Sequence, residues 1–276
     1  MLPTFLMIGP GKSGTTWMYK MLSQHPEICV SKTKETLFFQ DYFKKGIKWY
    51  ERFFKHCHGF QVIGEFSNTY FWSPVVPQRI YRTFKNNIKL ITCLRNPIDY
   101  IFSVYLFMAK HGLTNLTFEE ALEKEVEMKK RFLFYKCLKG YMDVFPRENI
   151  CILIFDDLCK DPVTFLKKIY EFLQVDKSFI PKDVTKEVLP NGQARNRILA
   201  KIAKKSAIAI RKLGFPEIVT KLSDDASIVS RILYKPFKDK PKMKLETRLK
   251  LQKELQDEVF RLSELLGRDL SKWVEI

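Results

Sequence analysis

Apolar residues fall in short continuous runs, separated by glycine, proline and charged turns. Thr4–Ile8 is one such run, closed by Gly9-Pro10-Gly11, and it reads as a buried strand entering a tight loop. Phe60–Gly64, Ile88–Leu94 and Ile150–Phe155 have the same character. Between them the spacing turns helical. Thr15 onward carries apolar residues at helical intervals as far as His25-Pro26. Ile98–Met108 follows Pro97, which suits a first helical position. A further helix is expected over roughly 161–173, after Asp156-Asp157.

Strand, loop, helix and strand in succession predict parallel βαβ units. The expected fold is α/β, three layers around a central parallel sheet of about five strands. Ligands of such sheets sit outside the carboxyl ends of the strands, so the loops after Ile8, Gly64, Leu94 and Phe155 are where chemistry is expected. From about 195 to 266 the pattern is helical and rich in lysine and arginine, interrupted at Gly214-Phe215-Pro216 and Lys235-Pro236. There is no internal repeat or low-complexity linker, and a single domain over residues 1–276 is expected.

Composition narrows the classes. Hydrophobic residues make up 46% and aromatics 14%, enough for a packed core and incompatible with a disordered chain. No apolar run approaches the ~20 residues that span a bilayer. Lys+Arg 48 against Asp+Glu 31 gives +17, which attracts phosphates, sulfates, polyanions or anionic membrane surfaces. A lysine-rich solvated surface gives the same sum. No nucleic-acid module and no basic stripe interleaved with aromatics is present, so no nucleic-acid partner is expected. The six cysteines form no CxxC pair and no metal-type spacing with histidine, and Cys93 and Cys151 lie inside strand-like runs as small hydrophobes. Met1 leads into the first strand without a basic leader or cleavage site. A reduced cytoplasmic compartment is the default expectation. A catalytic domain trimmed from a membrane-anchored, lumenal enzyme would look the same.

Gly9-Pro10-Gly11-Lys12-Ser13-Gly14-Thr15-Thr16 ends a strand and opens a helix. Glycine allows close approach of an anion, and the helix N-terminus offers unpaired N–H groups and its dipole. Lys12 adds a mobile charge, and Thr15 and Thr16 add hydroxyls, so this is a candidate nucleotide-phosphate site. It is not a Walker A loop. That pattern needs a glycine five residues before Gly11, where Leu6 stands, and the run Ile88–Leu94 ends in Arg95 rather than an acid. A magnesium-dependent phosphotransferase such as a small-molecule kinase is therefore a disfavoured rival. A non-catalytic polyanion-binding protein is the other.

Arg95 stands at a strand's carboxyl end, where its guanidinium fork can grip a phosphate, and Ser103 follows about two turns into the next helix. Taken with the first loop, this pair resembles the two phosphosulfate-binding signatures of the sulfotransferase family. His25-Pro26-Glu27-Ile28, Lys34-Glu35-Thr36-Leu37-Phe38-Phe39, Gly46-Ile47-Lys48-Trp49-Tyr50, Gly64-Glu65-Phe66-Ser67-Asn68-Thr69-Tyr70-Phe71, Ile154-Phe155-Asp156-Asp157 and Leu265-Leu266-Gly267-Arg268-Asp269 continue the resemblance, which is nearest to the heparan-sulfate-type and related bacterial branch.

The resemblance implies a P-loop-like sulfotransferase fold with a helical C-terminal portion. It implies 3′-phosphoadenosine 5′-phosphosulfate (PAPS) as donor, a hydroxyl or amine acceptor and no metal. It assigns the 5′-phosphosulfate to Gly11, Lys12, Ser13, Gly14, Thr15 and Thr16, the 3′-phosphate to Arg95 and Ser103, and the general base to Glu35, with Lys12 stabilising the transferred charge. Tyr135 is expected to line the nucleotide pocket, and Arg195, with Arg197, to close over the 3′-phosphate, although a solvated helix start explains both arginines equally. His25 and His111 are alternative bases. Two departures stand out: Phe66 replaces a family lysine, and Phe132-Leu133-Phe134-Tyr135 replaces a Gly-Leu-Tyr stretch. The Arg-Lys-Gly motif of the cytosolic enzymes is absent.

Overall fold

Five strands form a parallel sheet in the order β2-β3-β1-β4-β5. They are β1 (Phe5–Gly9), β2 (Ile28–Val30), β3 (Val62–Phe66), β4 (Lys89–Leu94) and β5 (Ile150–Ile154). This computed structural model describes residues 1–125, 128, 131–186, 192–224, 232–237 and 241–275. The chain clusters into two compact units. The first comprises Met1–Leu94, Lys139–Val188 and Arg211–Thr220, and the second Arg95–Leu138, Leu189–Ile210 and Lys221–Ile276.

The sheet lies in the first unit. β1 is central and buried along its whole length, as an unbroken apolar run in a parallel sheet requires. Phe5 stands in register with Gly64 on one side and Lys89 on the other. Phe5, Met7, Phe66, Ile91, Cys93 and Leu153 pack against Trp17, Met18, Met21 and Leu22 of α1 (Thr15–Leu22), and against Phe165, Leu166, Ile169 and Tyr170 of the helix Pro162–Leu173. Burying each such side chain contributes about 1.5–3 kcal/mol, so this layer holds the strand ends rigid beneath the loops.

The expected strands occur with shifted ends. Phe60 belongs to a turn, its N–H bonded to the Cys57 carbonyl at 3.1 Å, and β3 runs on past Gly64 to carry Glu65 and Phe66 into the sheet. β2, with three residues, is too short to leave a pattern. α2 (Ile47–Glu51) and α3 (Val76–Phe84) also escape the periodicity. After β5 the chain makes two helices, Phe155–Lys160 and Pro162–Leu173. Asp161 breaks them by accepting from the N–H groups of Val163 and Thr164, both at 3.1 Å.

Cys29, on β2, forms a disulfide with Cys57, Cα to Cα 5.5 Å, where the sequence pattern gave these two residues no pairing. Cys93 and Cys151 are strand residues as expected.

The second unit contains α4 (Pro97–Lys110), α5 (Phe118–Lys124) and the helices Leu245–Glu254 and Gln256–Leu266. Asn96 caps α4 by accepting from Ile98 N–H at 2.9 Å, and its side-chain amide donates to the Trp273 carbonyl at 3.1 Å. The expected helical C-terminal portion is interrupted at Lys235-Pro236, as its pattern predicts, and the interruption is a short strand. β6 (Gly192–Ala194) and β7 (Tyr234–Pro236) pair as an antiparallel ribbon, with Arg195 N–H reaching the Leu233 carbonyl at 2.8 Å.

Candidate active site

The glycine-rich loop leaves the carboxyl end of β1, as its apolar run requires. Gly9 has φ 103°, and a Cβ there would stand 2.1 Å from the Asn68 carbonyl oxygen, so only glycine fits. Thr92 of β4 donates to the Gly9 carbonyl at 2.7 Å and fixes the start of the loop. Gly14, at φ 79°, caps α1, and a Cβ there would meet Leu158 at 2.6 Å. Lys12, half-buried, also has a left-handed backbone, at φ 69°. Ser13 is fully buried, and its hydroxyl has no hydrogen-bond partner among the described residues. An orphaned hydroxyl inside a loop of this shape at a helix N-terminus suits an anion.

Glu35 stands beside this loop through Asn68. Its carboxylate accepts from the Asn68 backbone N–H at 3.1 Å and from the Asn68 side-chain amide at 2.7 Å. Its own N–H donates to the Phe66 carbonyl at 2.8 Å, and its φ is 59°. Burial is the largest influence on the carboxyl and pushes it above the ordinary carboxylate range. The Arg211 and Lys34 charges and the Asn68 bond oppose that shift, and Glu65 adds to it.

Arg211 reaches this neighbourhood because the segment after it is clamped: Arg52 donates to the Gly214 carbonyl at 2.9 Å and pairs with Glu217 at 3.3 Å. Lys34 donates to the Thr16 hydroxyl at 3.1 Å, with its ammonium 5.1 Å from the Tyr19 ring centre.

Glu65 is a second acid that the sequence reading left without a role. It is fully buried and accepts from four hydroxyls: Thr36 at 2.5 Å, Ser67 at 2.6 Å, Tyr70 at 2.8 Å, and Tyr50. Burial raises its carboxyl, and burial with the Glu65 charge holds Tyr50 and Tyr70 well above their ordinary range, so both remain neutral donors. This hub ties β3 to Thr36 and thereby sets the backbone that carries Glu35. Its signal was available: a lone acid within the apolar run Val62-Ile63-Gly64-Glu65-Phe66.

Phe66, one of the two departures from the resemblance, is a core residue. Its ring lies 6.3 Å from that of Phe5 and 5.2 Å from that of Tyr19. His25 is also structural, with Nε2 2.9 Å from the Asp176 carbonyl and Nδ1 accepting from Glu27 N–H at 3.2 Å. His111 contacts the Phe107 carbonyl at 2.8 Å through Nδ1.

Arg95, Ser103, Tyr135 and Arg195 belong to the second unit. Arg95 follows the last residue of β4, and Ser103 lies on α4, both half-buried. Tyr135 N–H donates to Glu258 at 2.6 Å, with the Arg261 guanidinium 6.0 Å from its ring centre. Arg195 donates from Nε to the Tyr234 carbonyl at 3.2 Å.

Comparison with known proteins gives the family of the chain. The membrane-associated sulfotransferase kil1 of Dictyostelium discoideum is 32% identical over 149 residues, 51% of this chain and 30% of its own length. The human bifunctional heparan sulfate N-deacetylase/N-sulfotransferase 2 is 31% identical over 196 residues, 63% of this chain and 22% of its own. Mouse heparan sulfate glucosamine 3-O-sulfotransferase 5 is 30% identical over 188 residues, 63% of this chain and 54% of its own. The matches thus span about a fifth to a half of these relatives. The crystal structure of a sulfotransferase from Alicyclobacillus acidocaldarius superposes with a TM-score of 0.74 at 25% identity, covering 100% of both chains. Among the described residues, no helix is long and apolar enough to cross a membrane. The family model of the sulfotransferase domain matches residues 2–206, most of the chain, and the protein belongs to the sulfotransferase family.

Proposed function

We propose that the protein transfers a sulfuryl group from PAPS to a hydroxyl or amine of an acceptor, with Glu35 as general base. The observation that carries this reading is the Asn68 bridge. One residue holds the Glu35 carboxylate and presses its carbonyl against Gly9, so a base and an anion loop share one rigid support. Relatives named for N-sulfation and for 3-O-sulfation support both acceptor chemistries.

Gly11, Lys12, Ser13, Gly14, Thr15 and Thr16 hold the 5′-phosphosulfate, and the buried Ser13 hydroxyl is a donor suited to it. Arg95 and Ser103 hold the 3′-phosphate, Tyr135 lines the nucleotide, and Arg195 closes over it. The donor supplies the activated sulfuryl group, whose bond to the phosphate oxygen breaks as the acceptor atom bonds to sulfur. Glu35 takes the proton that the acceptor loses, and Lys12 offsets negative charge on the leaving phosphate. No metal takes part. Lys34, bonded to Thr16, supplies the charge that the family otherwise keeps at position 66. One sulfotransferase domain embraces the chain, and the family match over 2–206 runs through segments of both units. Of the two compartments considered, the Cys29–Cys57 bond supports the lumenal, oxidising one.

An acceptor screen with labelled PAPS, read by mass shift, tests the reaction. Adenosine 3′,5′-bisphosphate is expected to bind in the micromolar range, about −8 kcal/mol, without added magnesium. Arg95→Ala should weaken that binding, and adenosine 5′-phosphate should bind far less well. Equal affinity for the two nucleotides removes Arg95 and Ser103 from their role.

A further inference from the structure

The helix Arg197–Lys212 is turned inside out for a helix facing water. A surface helix normally buries its large apolar residues and exposes its small and charged ones. Here Ala200 is the fully buried position, while Ile198 is 70% exposed, Leu199 53% and Ile202 55%. Lys204 folds toward the protein, its ammonium 4.7 Å from the ring centre of Phe107 on α4. At the N-terminal end the helix is pressed close to Gly112, where a Cβ would stand 2.6 Å from the Arg197 carbonyl oxygen and 3.4 Å from Lys201 Cβ.

The outward face has an ordered composition. Ile198, Ile202 and Ala209 form one exposed row along the axis, with Leu199 beside it. Lys201, Lys205 and Lys212, all exposed, form the adjoining row. The helix carries six basic residues (Arg197, Lys201, Lys204, Lys205, Arg211, Lys212) and no acidic one.

We infer that this helix docks in the plane of an anionic phospholipid surface. Ile198, Leu199 and Ile202 enter the boundary between headgroups and acyl chains, while Lys201, Lys205 and Lys212 lie among the lipid phosphates. Both halves of the face then find partners. Other occupants satisfy only one half. A soluble polyanion pairs with the lysines and leaves the isoleucines in water. A second copy of the chain covers the isoleucines and sets lysine against lysine. The inference is independent of the sulfuryl-transfer reading, since none of these outward residues has a place in that site.

The test is co-sedimentation of the full chain with vesicles of phosphatidylcholine alone and of phosphatidylcholine with phosphatidylglycerol, at physiological and high salt. Binding is expected only to the anionic vesicles, and is expected to weaken at high salt. The double variant Ile198→Ser, Ile202→Ser and the double variant Lys201→Glu, Lys205→Glu should each lower partitioning by about tenfold or more. Their circular dichroism and melting midpoint should match wild type, because the side chains are exposed. Absence of binding to anionic vesicles overturns the inference. So does undiminished binding by the serine variant, which would assign attraction to the general positive charge. A dimer in sedimentation equilibrium that the serine variant dissolves overturns it too, and assigns the face to a second copy.

Discussion

The Glu35 carboxylate is held by both hydrogen-bond donors of one residue, the backbone N–H and the side-chain amide of Asn68. These bonds favour the ionised form against the burial that disfavours it. Asn68→Ala removes the amide donor and keeps the backbone one. The Glu35 carboxyl should rise further, so the acidic limb of the pH–rate profile should move to higher pH. A limb that stays in place would show that Asn68 only packs.

Glu35→Gln keeps shape and removes the base. Single-turnover rate should fall by about 10²- to 10⁴-fold, with affinity for adenosine 3′,5′-bisphosphate near wild type. Stability should move the other way. Because the folded carboxyl is raised, the folded protein holds its proton to a higher pH than the unfolded chain does, and stability is lost as pH rises through that window. At neutral pH the variant should therefore melt higher than wild type, and the difference should vanish below the ordinary carboxylate value of about 4.3. Retention of more than about a tenth of the rate would exclude Glu35 as base.

Lys34→Met tests whether the charge absent at Phe66 is supplied from the segment beside it. Lys34 and Phe66 flank the same ring, that of Tyr19, which puts a charge on the segment neighbouring Phe66. The donor carries a sulfuryl group that the bisphosphate product lacks. The variant should lose about tenfold or more in rate and in donor affinity, while product affinity holds within a few-fold. Lys34→Arg should recover part of the loss. Equal weakening toward both nucleotides would make Lys34 a structural prop for Thr16.

The Cys29–Cys57 bond closes a separation of 28 residues. Chain entropy alone gives such a crosslink about 3–4 kcal/mol. Cys29→Ser should lower the melting midpoint, and reductant should lower wild type to a similar value without further effect on the variant. Alkylation should find Cys159 readily, while burial, which pushes Cys137 up to about 11 and Cys151 up to about 12, keeps those thiols slow. Labelling of Cys29 and Cys57 without reductant would refute the bond.

The sheet and the first loop were legible because they rest on local pattern. An apolar run with glycines after it means a strand and a tight turn wherever it occurs, and the run ending at Ile8 gave β1 and the loop together. Glu35 came only through resemblance, since nothing in Lys34-Glu35-Thr36 by itself marks a base. Arg211 and Asn68 were out of reach for a different reason. Their parts depend on which segments fold back on Glu35, and the clamp of Arg52 on Gly214 and Glu217 has no counterpart in sequence spacing. The disulfide escaped likewise, because β2 left too weak a pattern to place Cys29 beside Cys57.

Lys12 and Glu35, the two residues to which chemistry is ascribed, share a backbone conformation that side chains other than glycine adopt at a cost of about 1–2 kcal/mol each. Glycine at either position would relieve that cost, while at position 35 the two bonds from Asn68 oppose the change, so the strain and the bonds that hold the carboxylate are balanced at the same residue.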